Sequence, residues 1–484
     1  MGVRALFLAL LLQACQPSQP PAPAVALLPA RSNLLLITVD TLRADHLSSY
    51  GYPRRTSPVI DRLAAEGVRF DQPAAQWPKT TPSFASMFTA TYPKDNGNVR
   101  KIGTPLPCRA RTLAEEIRSA GYTTHAVVAN GAVGSELRFD QGFDTYVETW
   151  KLPPGKPGED LQRAERATAL ALASLDAAPR DRPWFLWVHY LDPHWPYTPP
   201  GEHRDRFQGD ERFDPSGRIP VVAGKERQEM RGIGEGQVDD GRDELAFYVA
   251  RYDAEIAYTD AWIGRLLDGL RSRGRLDRTL TAVTADHGES LGDHQYYFDH
   301  GRFGFQSCLR VPLILHYPGV LAPRVDRGPV ELIHLAPTLL EAAGVPLRDG
   351  VWMQGRSLTP RLRGAAQGGS LAFSEAGYET KGRWQKVVRD GRFKLVFAQT
   401  RPDQRWIGGE GVRFTLYDLA RDPGETENVA GRFSQEAERL TRALWRWDRA
   451  PRFAVETEPP EADCAGDRPL AEETEKLLHS LGYL

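Results

Sequence analysis

The sequence predicts an α/β fold with a large, mostly parallel central sheet. Asn33–Val39, Pro183–Tyr190 and Leu280–Ala285 are nearly continuous apolar runs rich in β-branched or aromatic residues, as expected of strands buried on both faces. Glu244–Arg271, between the last two, has apolar residues at helical spacing. Because parallel sheets bind ligands beyond the carboxyl ends of their strands, Asp40, directly after the first run, is expected at a ligand site.

Further helices and strands separate these segments. The predicted helices are Thr56–Gly67, Thr112–Ala120, Leu161–Leu175 and Pro337–Ala343, and the predicted shorter strands are Val68–Phe70, Thr123–Val128 and Leu313–His316. Gly201–Asp243 is polar, rich in Gly and Arg, and has no clear period. Long irregular stretches inside compact domains are commonly functional loops, so this one is predicted to be a variable lid beside the site.

The chain is predicted to divide near Arg361–Gly369. Beyond that point come strands with antiparallel character and one amphipathic helix: Trp384–Arg389, Phe393–Ala398, Phe414–Tyr417 and Gln435–Trp447. We therefore predict a catalytic domain over residues 31–365 and a small antiparallel α+β subdomain over residues 370–484.

Composition is that of an ordinary soluble protein. Of 484 residues, 41% are hydrophobic and 26% charged, the formal net charge is −2, and the pI is near 6.6. No long basic run is present, so the sequence offers no support for nucleic-acid binding.

The first residues have the features of a targeting signal. Met1–Arg4 carries a charge, Ala5–Leu12 is apolar but too short to span a bilayer, and Cys15 follows a small residue. This pattern is typical of a bacterial lipoprotein signal over residues 1–15, lipidated at Cys15, with the Pro- and Ala-rich Gln16–Ala30 as a tether. It predicts a membrane-anchored protein of the bacterial cell envelope, facing the periplasm or exterior. Ordinary secretion and a misassigned start are the alternatives.

Three further cysteines, Cys108, Cys308 and Cys464, allow at most one disulfide. The sequence alone does not pair them.

Gln76–Pro93 has the pattern of a nucleophile placed at the start of a helix. Thr80 and Thr81 stand at a turn after Pro78, and Pro82 suits a first helical position. A hydroxyl there faces free backbone N–H groups that favour an anionic ester oxygen, which makes Thr80 a candidate nucleophile. The alternative is that Thr80 or Thr81 only caps the helix.

Several motifs in fixed order resemble the sulfatase family of the alkaline-phosphatase superfamily. Thr80-Thr81-Pro82-Ser83-Phe84 fits the family signature of Cys or Ser, any residue, Pro, Ser and Arg, with Thr at the formylglycine position. Asp192-Pro193-His194-Trp195-Pro196 resembles a second motif, and Asp286-His287-Gly288 a third. The resemblance covers Asn33 to Leu484 and implies an alkaline-phosphatase-like α/β/α sandwich with a small C-terminal subdomain.

The resemblance also implies a site. Asp40, Asp286 and His287 would bind one divalent metal cation together with the oxygen of Thr80, and His194 and His300 would be catalytic, contacting the ester or protonating the leaving oxygen. Calcium is the family default, while an imidazole ligand suits zinc or manganese. His189, within a strand, is interpreted as a core residue.

Three departures from the family pattern bear on the chemistry. Thr80 stands at the formylglycine position, Phe84 replaces an Arg, and Ala129-Asn130-Gly131 replaces a Lys-x-His pair. Threonine cannot become formylglycine because its β-carbon carries a methyl group. The expectation is a hydrolase of sulfate or phosphate esters, small-molecule, glycan or lipid, with phosphate slightly favoured. An envelope phosphotransferase and a catalytically dead homologue that binds anionic glycans are the alternatives.

Overall fold

The computed structural model describes residues 28–29, 31–96, 102–155, 160–210, 217–346, 353–365, 370–378, 383–399, 414–450, 468–481 and 483. The predicted signal with Cys15, nearly all of the predicted tether, and Cys464 lie outside the described residues. The centre of the structure is an eight-stranded sheet. Its strands are β1 (Asn33–Val39), β2 (Val68–Ala74), β3 (Thr123–Val128), β4 (Thr145–Glu148), β5 (Trp184–Tyr190), β6 (Thr279–Thr284), β7 (Leu313–His316) and β8 (Arg324–Glu331).

The sheet order is β8-β2-β7-β6-β1-β5-β3-β4. All neighbours run parallel except β7, which is antiparallel to both β2 and β6. β1 lies between β5 and β6 and pairs with both along its length. The predicted α/β architecture with a mostly parallel sheet is therefore confirmed. β8 was not predicted, because its first half is largely charged, is not buried and lacks an apolar run.

Helices cover this sheet. They are α1 (Pro58–Glu66), α2 (Thr80–Thr89), α3 (Leu113–Ser119), α4 (Ala164–Ala177), α5 (Leu245–Ser272) and α6 (Leu335–Ala342). The long helix α5 packs along α4 and α1. The predicted start of α2 at Pro82 is wrong by two residues: the helix begins at Thr80, with Lys79 as its N-cap, and Pro82 fits inside the first turn. A proline, which has no N–H group, is tolerated anywhere in the first turn, because N–H groups there make no intrahelical hydrogen bond. The sequence therefore did not distinguish a start at Thr80 from a start at Pro82.

A four-stranded antiparallel sheet forms the small subdomain. Its strands β9 (Ala372–Tyr378), β10 (Arg383–Arg389), β11 (Phe393–Gln399) and β12 (Phe414–Asp418) pair in sequence order, and α7 (Ser434–Arg449) packs on β10 and β11. Leu440 and Leu444 of α7 are buried in the core of this subdomain. β9 was not predicted from the sequence.

The last helix, α8 (Glu472–Ser480), packs on the main domain rather than on the small sheet. Leu477 is part of the core that surrounds the central sheet, and Leu478 contacts Ile102 and Ala132 in a satellite cluster. This part of residues 370–484 therefore lies with the catalytic domain.

Two further sequence features can be located. Cys308 is a buried free thiol, whereas Cys108 is disulfide-bonded, with a partner outside the described residues. Among the helices in the described part of the chain, none combines the length and apolarity that a bilayer crossing requires.

A buried carboxylate joins the two domains. Glu331, at the end of β8, accepts hydrogen bonds from the Tyr92 hydroxyl at 2.9 Å and from the backbone N–H of Phe373, in β9, at 2.9 Å. His334 Nε2 lies 3.7 Å from its second oxygen. Burial, which disfavours the charged form, raises the pKa of Glu331 to about 8.

Replacing Glu331 with glutamine is expected to flatten the pH dependence of stability. Between about pH 5 and 8 the folded protein keeps a proton on Glu331 that the unfolded chain has lost, so the wild type should lose stability relative to Glu331→Gln as pH rises, by at most about 1.4 kcal/mol per pH unit. Above pH 8 the difference should level off. Chemical denaturation across this range measures it, with Glu341→Gln as a control; parallel profiles for wild type and Glu331→Gln would contradict it.

Candidate active site and metal centre

The candidate site lies at the carboxyl ends of four neighbouring parallel strands. In the sheet order β6-β1-β5-β3, each strand ends at the same edge. Asp286 and His287 follow β6, Asp40 follows β1, His194 lies in the loop after β5, and Asn130 follows β3. The carboxyl edge of the sheet thus brings together residues that are far apart in the sequence, as parallel topology requires.

Asp40, Asp286 and His287 form a compact buried cluster. One potential ligand atom from each lies within 4.8 Å of the others, and all three side chains have no solvent exposure. His287 Nε2 is 3.3 Å from Asp286 Oδ2 and 3.9 Å from Asp40 Oδ1. His287 Nδ1 donates to the Gly288 carbonyl at 2.9 Å, so its Nε2 carries a lone pair toward the carboxylates.

The electrostatics of this cluster fit a cation. Asp40 Oδ1 and Asp286 Oδ2 are buried and have no hydrogen-bond partner within the described part of the chain. Burial and the nearby Asp40 carboxylate raise the pKa of Asp286. Burial also opposes ionisation of Asp40, but His189, His194 and His287 outweigh it and hold the pKa of Asp40 below its usual range. Two orphaned carboxylate oxygens facing an imidazole lone pair are the donor set that a divalent metal ion needs.

Thr80 faces this cluster from the first position of α2. Its Oγ1 lies 3.3 Å from His287 Nε2, and Ser83, one turn later, donates to the Asp286 carbonyl at 2.6 Å. Thr81 points away: its hydroxyl donates to the Ala132 carbonyl at 2.5 Å. Of the two threonines, Thr80 is the one whose oxygen reaches the carboxylate–imidazole cluster. Lys79, and not Thr80, is the N-cap of the helix, and the Thr80 hydroxyl contacts His287 instead.

His194 and His300 lie beside each other at the same site, with ring centroids 5.3 Å apart. His194 Nδ1 donates to the Trp195 carbonyl at 2.6 Å, so in the neutral ring Nε2 is the acceptor; burial lowers the pKa of His194. The His300 ring is 4.2 Å from that of His287, and its Nδ1 lies 3.1 Å from Glu289 Oε1. Burial lowers the pKa of His300 to about 4.

Local backbone geometry explains two neighbours of the metal cluster. Thr41, directly after Asp40, has a φ of 55°, which is costly for a β-branched residue, and its N–H reaches Asp286 Oδ1 at 3.3 Å. At Gly288 a Cβ atom would lie 2.0 Å from the Ser307 carbonyl, so no other residue fits. Both features fix the turns that aim Asp40, Asp286 and His287 at one point.

The departures from the resembled pattern have visible roles. Phe84, which stands at the position of the family's Arg, is fully buried and packs against Trp187 and His189. Asn130, where a Lys-x-His pair was expected, donates to Asp40 Oδ2 at 2.6 Å. His189 is buried as predicted, but it also lies 3.4 Å from the same Asp40 oxygen. It therefore orients a proposed ligand in addition to packing in the core.

Sequence reasoning did not find four residues that border the site. They are Asn130, Glu289, Lys79 and Tyr483. Asn130 had a usable signal, because it follows a strand as Asp40 and Asp286 do. Lys79, whose side chain lies over Gly301, and Glu289 flank motifs already singled out. Tyr483 had no signal, since nothing in the sequence connects residue 483 with residue 80.

The predicted lid lies partly beside this site. Residues 211–216 are outside the described part, but Glu229 accepts a backbone hydrogen bond from Tyr297 at 2.8 Å and Arg227 approaches Asp299 at 3.6 Å. The second half of the segment thus packs on the loop that leads to His300.

The chain matches two models of known protein families. The model described as Sulfatase matches residues 32–345, well over half of the chain, and one described as N-sulphoglucosamine sulphohydrolase, C-terminal, matches residues 292–447. The chain belongs to the sulfatase family. This sulfatase-family protein is 25% identical to the choline-sulfatase of Rhizobium meliloti (strain 1021), covering 88% of each chain. It is 26% identical to the arylsulfatase A of Homo sapiens, covering 85% of this chain and 86% of that one.

Solved structures share the fold of this sulfatase-family protein. One, a protein in complex with its substrate D-glucosamine-2-N,6-O-disulfate, superposes with a TM-score of 0.69 at 22% identity, covering 88% of this chain and all of the other. The phosphonate monoester hydrolase of Agrobacterium radiobacter gives a TM-score of 0.66 at 24% identity, covering 86% of this chain and 95% of the other. The protein is a hydrolase of the class that acts on sulfuric or phosphoric ester bonds.

Proposed function

We propose that this protein is a metal-dependent ester hydrolase that uses Thr80 as its nucleophile and prefers phosphate esters to sulfate esters. The observation that carries the proposal is the position of the Thr80 hydroxyl, at the start of α2 and 3.3 Å from His287 Nε2 in a cluster with two buried carboxylates. Asp40, Asp286 and His287, with the oxygen of Thr80, would hold the divalent cation. When bound, that ion supplies positive charge that favours the ionised Thr80 oxygen and neutralises the ester.

The side chains divide the remaining work. His194, whose Nδ1 donates to the Trp195 carbonyl and whose Nε2 faces the site, suits the role of base for the Thr80 proton. The Thr80 oxygen forms a bond to phosphorus as the ester P–O bond breaks, and the proton goes to the departing oxygen. Water then attacks phosphorus, breaks the bond to Thr80 and returns a proton to it. His300, oriented by Glu289, is the candidate for the contact with the leaving oxygen.

The preference for phosphate follows from the chemistry of threonine. The β-carbon of Thr80 bears a methyl group, so it cannot be oxidised to an aldehyde that would expel sulfate by elimination. A Thr80 ester must be cleaved at phosphorus or sulfur, and phosphoryl transfer proceeds readily by in-line displacement. The buried Phe84 supports this view, because no cation stands where an Arg would steady a formylglycine.

A substrate panel tests this proposal. Phosphate monoesters, diesters, phosphonate monoesters and aryl sulfates with one common leaving group should be compared, with metal analysis and mass spectrometry of the same sample. We expect an unmodified Thr80 peptide and the highest kcat/KM on a phosphorus ester. An aryl sulfate favoured by more than about tenfold, or 1.4 kcal/mol of barrier, would overturn the preference.

The metal is proposed to be calcium by family pattern, or zinc or manganese because of the His287 ligand. Glycan or small-molecule esters are the proposed substrates. Similarity to the N-acetylglucosamine-6-O-sulfatase of Bacteroides thetaiotaomicron, at 24% identity, supports the glycan class.

We further propose that Cys15 is lipidated and that the enzyme is anchored in the bacterial envelope, facing the periplasm or exterior. The support is the charged, apolar and small-residue order that precedes Cys15. Fractionation of Cys15→Ala cells should move the protein out of the membrane fraction; unchanged membrane recovery would contradict the anchor.

A further inference from the structure

The segment after the small subdomain returns to the active site. We call residues 468–481 together with Tyr483 the Tyr483 segment. Its helix, α8, buries Leu477 and Leu478 against the main domain, where Gly131 permits close approach, since a Cβ there would lie 3.3 Å from Leu477. Trp150 Nε1 donates to Thr474 Oγ1 at 3.2 Å. The helix is thereby docked next to the strand tips, and Tyr483 follows it by a few residues.

The Tyr483 hydroxyl is held by three groups of the site. It lies 2.9 Å from His194 Nε2, 3.1 Å from Thr80 Oγ1, and 3.3 Å from Asn130 Nδ2. Because His194 Nδ1 already donates to a carbonyl, Nε2 of the neutral ring is an acceptor, and the tyrosine donates its proton there. Its oxygen is then left to accept from the Asn130 amide and from the Thr80 hydroxyl. The phenol oxygen thus accepts hydrogen bonds as an ester oxygen would.

The same segment borders a cavity beside the buried site. Thr80 and the three proposed metal ligands have no solvent exposure, and His194 and His300 are buried. A neighbouring cavity of about 170 Å³ is lined by His194, by Arg163, and by Ser480 and Leu481 of the Tyr483 segment, but Thr80 is not part of its lining. His194 thus borders this cavity and also contacts the Tyr483 hydroxyl, so the Tyr483 segment lies where the cavity and the site meet.

We propose that Tyr483 is an internal competitor of the substrate: its hydroxyl fills the space beside Thr80 Oγ1 that the group under attack needs, and it must withdraw before an ester reaches Thr80. The proposal rests on the proposed roles of Thr80 and His194. An atom under attack must lie about 3 to 3.5 Å from the nucleophile, and the phenol oxygen already fills a position at 3.1 Å from Thr80 Oγ1. Phenol and ester therefore exclude each other.

Removing the competitor should raise affinity for ligands of the site. If the closed form dominates, the apparent affinity of any anion is reduced by the fraction of open protein. Tyr483→Phe loses the three hydrogen bonds, and deletion of residues 482–484 removes the side chain while keeping α8. We expect inorganic phosphate to bind both variants at least about tenfold more tightly than the wild type in titration calorimetry. Tyr122→Phe, a buried tyrosine at the opposite end of β3, is the matched control and should behave as wild type.

Kinetics separate competition from a chemical role. For a competitor, both variants should lower KM for a phosphate ester without lowering kcat. A large fall in kcat with unchanged phosphate affinity would overturn the proposal and make Tyr483 part of the proton path from Thr80 to His194. Unchanged affinity and unchanged kinetics would also overturn it. If no variant hydrolyses any ester but phosphate binding still tightens, the competitor role stands and the proposed hydrolysis fails.

Discussion

Thr80→Ala is expected to lower kcat/KM by about a thousandfold or more, because loss of a nucleophile removes the covalent route while leaving binding groups in place. The neighbouring residue supplies a matched control. Thr81 is equally buried, but its hydroxyl serves the Ala132 carbonyl and not the site. Thr81→Ala should therefore retain most of the activity and cost some stability.

Steady-state kinetics on the best substrate of the panel measure both variants, with circular dichroism to confirm folding. An active Thr80→Ala enzyme paired with an inactive Thr81→Ala enzyme would move the nucleophile by one residue. It would also show that the orientation of α2 seen here is not the reactive one.

Removal of the metal should abolish activity and lower the melting temperature. Without a cation, the Asp40 and Asp286 carboxylates face each other in a buried site, and proximity to Asp40 is one reason why the pKa of Asp286 is raised. A ligand that binds only the folded state adds stability in proportion to the logarithm of its concentration over its Kd. Dialysis against a chelator, followed by return of Ca²⁺, Zn²⁺ or Mn²⁺ separately, should identify the ion by recovery of both activity and melting temperature.

Variants locate the ion. Asp40→Ala, Asp286→Ala and His287→Ala should each lower metal content and activity together. Asp45→Ala is the control, because Asp45 lies close to Asp40 in the chain but is half-exposed and pairs with Arg43. Full activity in a chelated sample shown to be metal-free, or normal metal content in all three ligand variants, would contradict the assignment.

The parts of the site that follow apolar strands could be predicted from the sequence. Asp40 and Asp286 each come after a run that could only be a buried strand, and parallel strands carry their carboxyl ends to one edge. α5 was predicted to within a residue at each end because its apolar stripe is long. Such features depend on local periodicity, which the sequence displays directly.

Contacts between distant segments could not be predicted in this way. Tyr483 and Thr80 are 403 positions apart, and their meeting depends on how α8 docks against the loops after β3 and β4. In the sequence, Asn130 was noted only because it stands where the family pattern has a Lys-x-His pair. In the structure its amide donates a hydrogen bond to Asp40. In the sequence, Phe84 was noted only because it replaces the family's Arg. Its packing against Trp187 depends on the folded core and could not be read from the sequence.

Strand β1, which precedes the proposed metal ligand Asp40, is paired on both sides. Leu34–Val39 pairs with β5 and Asn33–Thr38 with β6, so we expect the amide protons of this strand to exchange only when the whole domain opens. Asp40 is the next residue, and its position is therefore as rigid as the sheet. Substitutions far from the site that lower overall stability should leave metal affinity unchanged as long as the domain stays folded. In a series of increasingly destabilised variants, metal affinity should therefore fall only when the domain unfolds, and not gradually.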